Sequence, residues 1–433
     1  MSKYILLISV IAFYLPVTGQ ETIYPAPANK GIIAISGGTI HVGNGSVIKD
    51  GTIIITNNKI SSVGSNLQVP AGAKRIDAKG KQVYPGIIAT NTNLGLSEIQ
   101  RIRSMEDFTE IGEYNPSVKS INAYNAESKI IPTIRSNGIL LAHIVPQGGT
   151  ISGTSSVVQL DAWNWQDAVY KLNNGIHLNM PALINRPNPF AAFFQMAAPA
   201  IDPVKAGLKR IDDIKTMLRE AQSYAKQTNP VINLKYEALK GLFNGTQKLF
   251  IHADLVKEMM MAIDMKNEFG LDIVIVGGED SWMMADLLND NKIPVILTEP
   301  HGLPATADDA IDQPYKTGAQ LAKAGVLFTI EIEANHWQQR CLPFQAGTMA
   351  AYGLPKEDAI KAITLDAAKI LGIDSMTGSI EAGKDANIVI SEGDLLDMKS
   401  SKVNQAFIQG RSINLDNKQS QLFERYKYKF GIK

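Results

Sequence analysis

The stretch Val83–Leu96, VYPGIIATNTNLGL, constrains the fold more than any other. An apolar run, Val83 to Ile88, follows a Lys-Gly-Lys turn and is broken at Pro85-Gly86. It stops at Asn91-Thr92-Asn93, with Gly95 just beyond. A short apolar run bounded by turn residues reads as a buried strand. Side chains alternate along an extended chain, so the two residues flanking Thr92 should point the same way. At the mouth of a barrel they would converge on one spot.

The rest of the central region fits a barrel. Apolar runs alternate there with helical patterns, the signature of parallel α/β architecture. The strand candidates are Val83–Ala89, Ile139–Val145, Ser156–Leu160, Ile176–Met180, Lys248–His252, Asp272–Val276, Pro294–Leu297 and Val326–Ile330. Eight is the number a TIM-type (β/α)8 barrel needs. Helices are expected at Val204–Lys226, Asn233–Asn244, Asp254–Phe269, Glu279–Asn289, Pro314–Lys323 and Lys356–Leu371, and the Pro-rich segment Pro181 to Asp202 reads as a loop or lid. Residues 31–82 are short β-rich runs with turns, and so are Ser379–Ile390 and Val403–Ile413. The expected layout is therefore a composite β-sandwich built from residues 21–82 and 373–433, bracketing a barrel over 83–372. The tail, Phe423 to Lys433, alternates Lys/Arg with aromatics and reads as an edge strand of that β-unit.

Residues 1–20 read as a signal peptide. Lys3 precedes an apolar stretch, Tyr4 to Leu15, that is too short to span a bilayer, and small residues follow around Val17-Thr18-Gly19. An N-terminal anchor or a buried strand is the competing reading, against which the polar, Pro-rich segment Glu21–Lys30 counts. The expectation is an exported protein, periplasmic or secreted, without a membrane anchor. The single cysteine, Cys341, cannot form an internal disulfide, so the core alone must hold the fold. Forty-two basic and 42 acidic residues balance, so no net field draws the chain to nucleic acid. The expected partner is a small-molecule ligand, with a homo-oligomer as the only expected assembly.

Three phrases carry a resemblance: GTIHVGNGSVIKDGTIIITNNKISSVG with VPAGAKRIDAKGKQVYPG, then LFIHADLVKEMMMAIDMKNEFGLDIVIVGGEDSWMMADLL, then LDAAKILGIDSMTGSIEAGKDANIVI. Together they resemble the amidohydrolase superfamily, in particular exported relatives of imidazolonepropionase. The resemblance implies a hydrolase of non-peptide C–N bonds, often in cyclic amides, with a divalent, zinc-like metal at the barrel mouth that activates water. It also implies two metal-binding histidines on the first strand, one each on the fifth and sixth, and an aspartate on the eighth.

Set against that pattern, the chain departs at several places. Asn91 and Asn93 stand where the first-strand histidines would be, and a neutral carboxamide is a poor zinc ligand. His252 matches the fifth-strand histidine and is the one metal-ligand candidate, against the reading of a hydrogen-bonded core histidine. Gly277 and Gly278 end the sixth strand and offer no ligand. Glu331 or Glu333 stands near the eighth-strand aspartate, as metal ligand or general base. Thr298-Glu299-Pro300-His301 follows the seventh strand, so a rebuilt metal site could use His252, Glu299, His301 and Glu331, with Glu331 and His301 as catalytic candidates. The Gly/Ser/Thr-rich run Gln147–Ser156 reads as a flexible rim loop before an anion cradle or a serine nucleophile. Trp163 and Trp165 either line a pocket or pack a loop onto the barrel. The expected pocket residues are Asn91, Asn93, Gly278, Glu299, Trp163 and Trp165. The expected function is a ligand pocket at the mouth of a barrel whose ancestral C–N hydrolysis is impaired or lost. The alternative is an active hydrolase using the rebuilt site.

Overall fold

The computed structural model describes residues 24–99, 102–184, 202–298, 300–304, 306, 308–332 and 336–432. The expected signal peptide, most of the expected lid, Glu299 and Glu333 lie outside the described residues.

Two eight-stranded sheets organise the chain. The first joins both ends of the sequence. Its N-terminal strands are β1 (Ile32–His41), β2 (Val47–Thr56), β3 (Lys59–Ser65), β4 (Lys74–Asp77) and β5 (Gln82–Pro85). The second sheet holds β6 (Ile87–Thr92), β7 (Ile139–Ile144), β8 (Ile151–Gln159), β9 (Val169–Asn179), β10 (Lys248–Ala253), β11 (Ile273–Gly277), β12 (Val295–Thr298) and β13 (Phe328–Glu331). The chain then returns to the first sheet with β14 (Ile388–Ser391), β15 (Val403–Ile408) and β16 (Arg411–Ser412). The pairing path of that first sheet is β16-β15-β14-β5-β1-β2-β3, with β4 beside β1. It is one continuous sheet where a sandwich was expected. Its apolar residues, among them Ile35, Ile53, Ile60, Val83, Ile388 and Phe407, share one core, and Lys59 on the edge strand β3 bridges to Asp385 just before β14, so the sheet curls around that core.

The second sheet is the nearly closed barrel, with strands in chain order from β6 to β13. Eight strands were expected at these places. One expectation fails, because the barrel is not all parallel: β7–β8 and β8–β9 pair antiparallel. Only residues 145–150 separate β7 from β8, and a parallel crossover needs roughly a dozen residues or more. The third strand must therefore run backwards. The Gly/Ser/Thr-rich run accordingly belongs to a hairpin, and from Ile151 onward it is buried strand and not a flexible rim loop.

The opening stretch is split between the two sheets. Val83 and Tyr84 lie in β5, Ile88 and Ala89 in β6, and Gly86 is the hinge. A Cβ at Gly86 would stand 2.7 Å from Leu140 Cδ1, so a larger residue would press on Leu140 where the strand passes between the sheets.

The expected helices form, with two adjustments. Lys356–Leu371 is two helices, Lys356–Ala362 and Leu365–Leu371, and Glu279–Asn289 is a 3-10 turn followed by Ala285–Asp290. The tail is a helix, Lys418–Phe430, and not an edge strand. Asn417 caps it by accepting from the Gln419 and Ser420 amides, and Lys427 lies over the Phe423 ring four residues away. The alternation of Lys and aromatics in the tail also satisfies helical spacing.

The barrel and the curled sheet are clamped by a buried charge cluster. Asp161, after β8, pairs with Arg135 and with Arg411 on β16, the latter at 3.0 Å, and accepts from the Ala26 amide at 2.9 Å. No helix among the described residues is long and apolar enough to cross a membrane.

Candidate functional site

The C-terminal ends of β6, β10, β11, β12 and β13 form one rim of the barrel. Glu331 ends β13 there, fully buried. Its Oε2 accepts from the Thr90 amide, from Thr90 Oγ1 at 3.2 Å and from the Asn91 amide at 3.0 Å, and its Oε1 accepts from the Ile332 amide at 2.9 Å. These bonds stitch β13 to β6 where no ladder closes the barrel. Burial pushes the Glu331 carboxyl up to about 7, against the opposing pull of the three amides.

Asn91 is buried within β6, but the strand ends at Thr92 and Asn93 falls in the following turn. Strand alternation therefore does not bring the two asparagines to one spot.

A hydrogen-bonded line of side chains crosses the barrel interior from Thr90. His143 on β7 meets the Thr90 carbonyl through Nδ1 at 2.9 Å and Ser155 Oγ on β8 through Nε2 at 2.7 Å. Ser155 Oγ meets His177 Nε2 on β9 at 3.0 Å, and His177 Nδ1 meets His252 Nε2 on β10 at 3.0 Å. Phe250, two residues before His252 on the same face of β10, stacks on His177 with centroids 4.9 Å apart. His143, Ser155 and His177 are fully buried, while His252 keeps partial exposure. Desolvation lowers the His143 and His252 pKa values to about 4 and that of His177 well below its ordinary value, so all three rings are neutral at pH 7.

One direction of proton placement satisfies this line. A carbonyl only accepts, so His143 must carry its proton on Nδ1. Its Nε2 then accepts from the Ser155 hydroxyl, which in turn accepts from His177 Nε2–H. His177 Nδ1 is left to accept from His252 Nε2–H. The hydroxyl's other acceptor, the Gly175 carbonyl, is farther off at 3.2 Å. Turning Ser155 that way would strand a buried acceptor on His143, at about 1–3 kcal/mol.

A side chain at the sixth-strand position would be strained. Gly277 has φ +105°, and a Cβ on it would stand 2.2 Å from Asp254 Oδ1; a Cβ on Gly278 would stand 2.8 Å from Val295 Cγ1. His301 does not join His252 and Glu331. It lies on the rim with Nε2 2.7 Å from Thr348 Oγ1 on the helix Leu342–Ala351. Among the described residues, no group of three His, Cys, Asp or Glu side chains is arranged to hold a metal ion. The rebuilt centre thus does not form from its described members.

Trp163 and Trp165 also leave the site. Because β8 is reversed, its C-terminal end lies at the opposite end of the barrel from the rim. Trp163 is exposed there against Tyr24, 5.8 Å between centroids, and Trp165 packs on the barrel core. A cavity of about 260 Å³ is lined by Asp254, Gly277, Trp282, Thr298, Gln313 and Met349 among others. It opens beside the rim between the β11 and β12 ends and the flanking helices, and Asn91, Asn93 and Gly278 are not in its lining. Sequence reasoning had passed over His143 and His177, although each is a histidine inside an otherwise apolar strand candidate.

These features define an eight-stranded barrel whose rim carries a buried glutamate and a histidine line. Comparison with known proteins points to amidohydrolases. An amidohydrolase family model matches residues 254–413. An amidohydrolase from Thermotoga maritima superposes with a TM-score of 0.73 at 25% identity, covering 88% of this chain and 99% of that one. An imidazolonepropionase from Picrophilus torridus is 26% identical over 377 residues, 81% of this chain and 88% of the relative. The amidohydrolase tasK of Hapsidospora irregularis is 21% identical over 395 residues, 83% of this chain, which spans 39% of that relative's length. The resemblance read from the sequence stands: the chain is similar to amidohydrolases in sequence over residues 254–413 and in fold over most of its length.

Proposed function

We propose that this chain is an exported amidohydrolase-type barrel that holds a small organic ligand at its rim, with the family's metal-dependent hydrolysis impaired or lost. The observation that carries this reading is the Gly277 position. There the backbone has a positive φ that disfavours any side chain, and a Cβ would meet the Asp254 carboxylate at 2.2 Å. The remaining positions agree with it. Asn91 and Asn93 stand where the resemblance implies two imidazoles, His252 offers only Nδ1 as a single imidazole donor because its Nε2 meets His177, and both Glu331 oxygens already accept from backbone amides. Such a donor set does not fit a zinc-like ion, which takes imidazole, thiolate or a free carboxylate.

The competing reading is an active C–N hydrolase. The relatives favour it, and so does Glu331, a carboxyl poised near neutrality. One experiment separates the two. The purified protein is incubated with zinc or manganese, dialysed, and assayed on a panel of cyclic amides and N-acyl amino acids, with ligand binding followed by thermal shift. Binding without turnover supports the proposal. Turnover that requires the metal refutes it.

A further inference from the structure

The line of side chains from Thr90 to His252 does more than fill the barrel. The geometry points to His143, Ser155 and His177 as positioning residues that hold His252 in its Nε2–H tautomer. Nδ1 is thereby left as a hydrogen-bond acceptor at the rim, so the site selects a ligand that presents an N–H or O–H donor. This inference rests on the ligand-binding reading for its second half only.

The direction is set at the far end. The Thr90 carbonyl fixes the proton on His143 Nδ1 at 2.9 Å, and each contact after it has one consistent donor. Four strands, β7 to β10, contribute one member each, so the tautomer is fixed by the barrel and not by a loop. At the near end His252 is the only ring of the three with partial exposure, and its Nδ1 makes no hydrogen bond among the described residues. A neutral imidazole nitrogen with a free lone pair pairs with a donor and gives nothing to a group that can only accept. A secondary amide, a lactam or a ureide nitrogen supplies such a donor, whereas an N-alkylated amide does not.

The test is nitrogen-15 NMR of histidine-labelled protein at pH 7.5, with the His252 signals assigned by loss in His252→Gln. The expected wild-type spectrum shows His252 with a protonated Nε2 and a bare Nδ1. A His252 protonated on Nδ1, or doubly protonated, overturns the positioning half without any variant. In Ser155→Ala the line is cut, and the His252 signals are expected to shift toward a mixture of tautomers. Unchanged signals in a folded Ser155→Ala protein also overturn it.

The ligand half uses a matched pair of probes, 2-pyrrolidinone and its N-methyl derivative. The first is expected to displace the Nδ1 resonance and the second to leave it in place. Equal displacement by both, or by neither, overturns the donor rule. Because the tautomer is read in the free protein, that half can fail while the ligand-binding reading stands, and the reverse also holds.

Discussion

Replacing Glu331 by Gln tests the electrostatics of the rim quantitatively. In the folded protein this carboxyl titrates near about 7, against an ordinary 4.5, because burial penalises the charged form. An acid with a raised folded pKa binds more protons folded than unfolded between those two values. Stability contributed by this group is therefore intact below about pH 4.5, falls as pH rises toward 7, and is constant above. The rise corresponds to about 3 kcal/mol, at about 1.4 kcal/mol per pH unit. The neutral histidines act in the opposite sense. Their depressed folded pKa values make the protein lose stability as pH falls from 6.5 toward 4. The difference between wild type and Glu331→Gln isolates the carboxyl. The glutamine amide also turns an N–H₂ toward one of the backbone amides that Glu331 now accepts, a pH-independent loss of about 1–3 kcal/mol. Urea unfolding of both proteins at intervals from pH 4.5 to 8 should show the variant gaining about 3 kcal/mol on wild type across that range. A difference that stays flat with pH would mean that Glu331 is ionised in the fold, and the account of the rim would be wrong.

Other positions give sharp expectations. Asp161→Ala strands Arg135 and Arg411 in a buried site, and should lower unfolding free energy by about 3–5 kcal/mol, whereas Lys215→Ala breaks surface pairs and should change it by under about 1 kcal/mol; both are read from urea midpoints. Gly86→Ala presses a methyl into Leu140 at the hinge between the sheets, and calorimetry should show a loss of about 1–3 kcal/mol. Gly277→His, which places a histidine where the sequence resemblance implies one, should lose about 1–3 kcal/mol through strain and overlap with Asp254, and should gain no hydrolysis when zinc is added.

Much of the barrel was legible in the sequence because its strands are short apolar runs with turn residues at their ends. Seven of the eight run in the expected direction. The reversed β8 was hidden by composition. A run rich in Gly, Ser and Thr looks like a loop, but Ser152, Thr154, Ser155 and Ser156 are buried in the barrel wall, and the hydroxyls of Ser152, Ser155 and Ser156 bond to neighbouring strands. That one reversal also explains why the tryptophans were misplaced. Periodicity predicts which face a side chain takes, but the end of the barrel it reaches depends on strand direction, and the length of the β7–β8 connection was the available clue. The histidine line was illegible for a different reason: each histidine gains meaning only from partners on other strands. His252 was found because a family pattern pointed to it, and its neighbours were missed because none did.

Metal content tests the central claim most directly. Purified protein would be reconstituted with zinc, manganese or iron, dialysed, and measured by elemental analysis beside His252→Ala. The account predicts far less than one metal ion per chain in both. One tightly held ion per chain in the wild type, lost in His252→Ala, would contradict it.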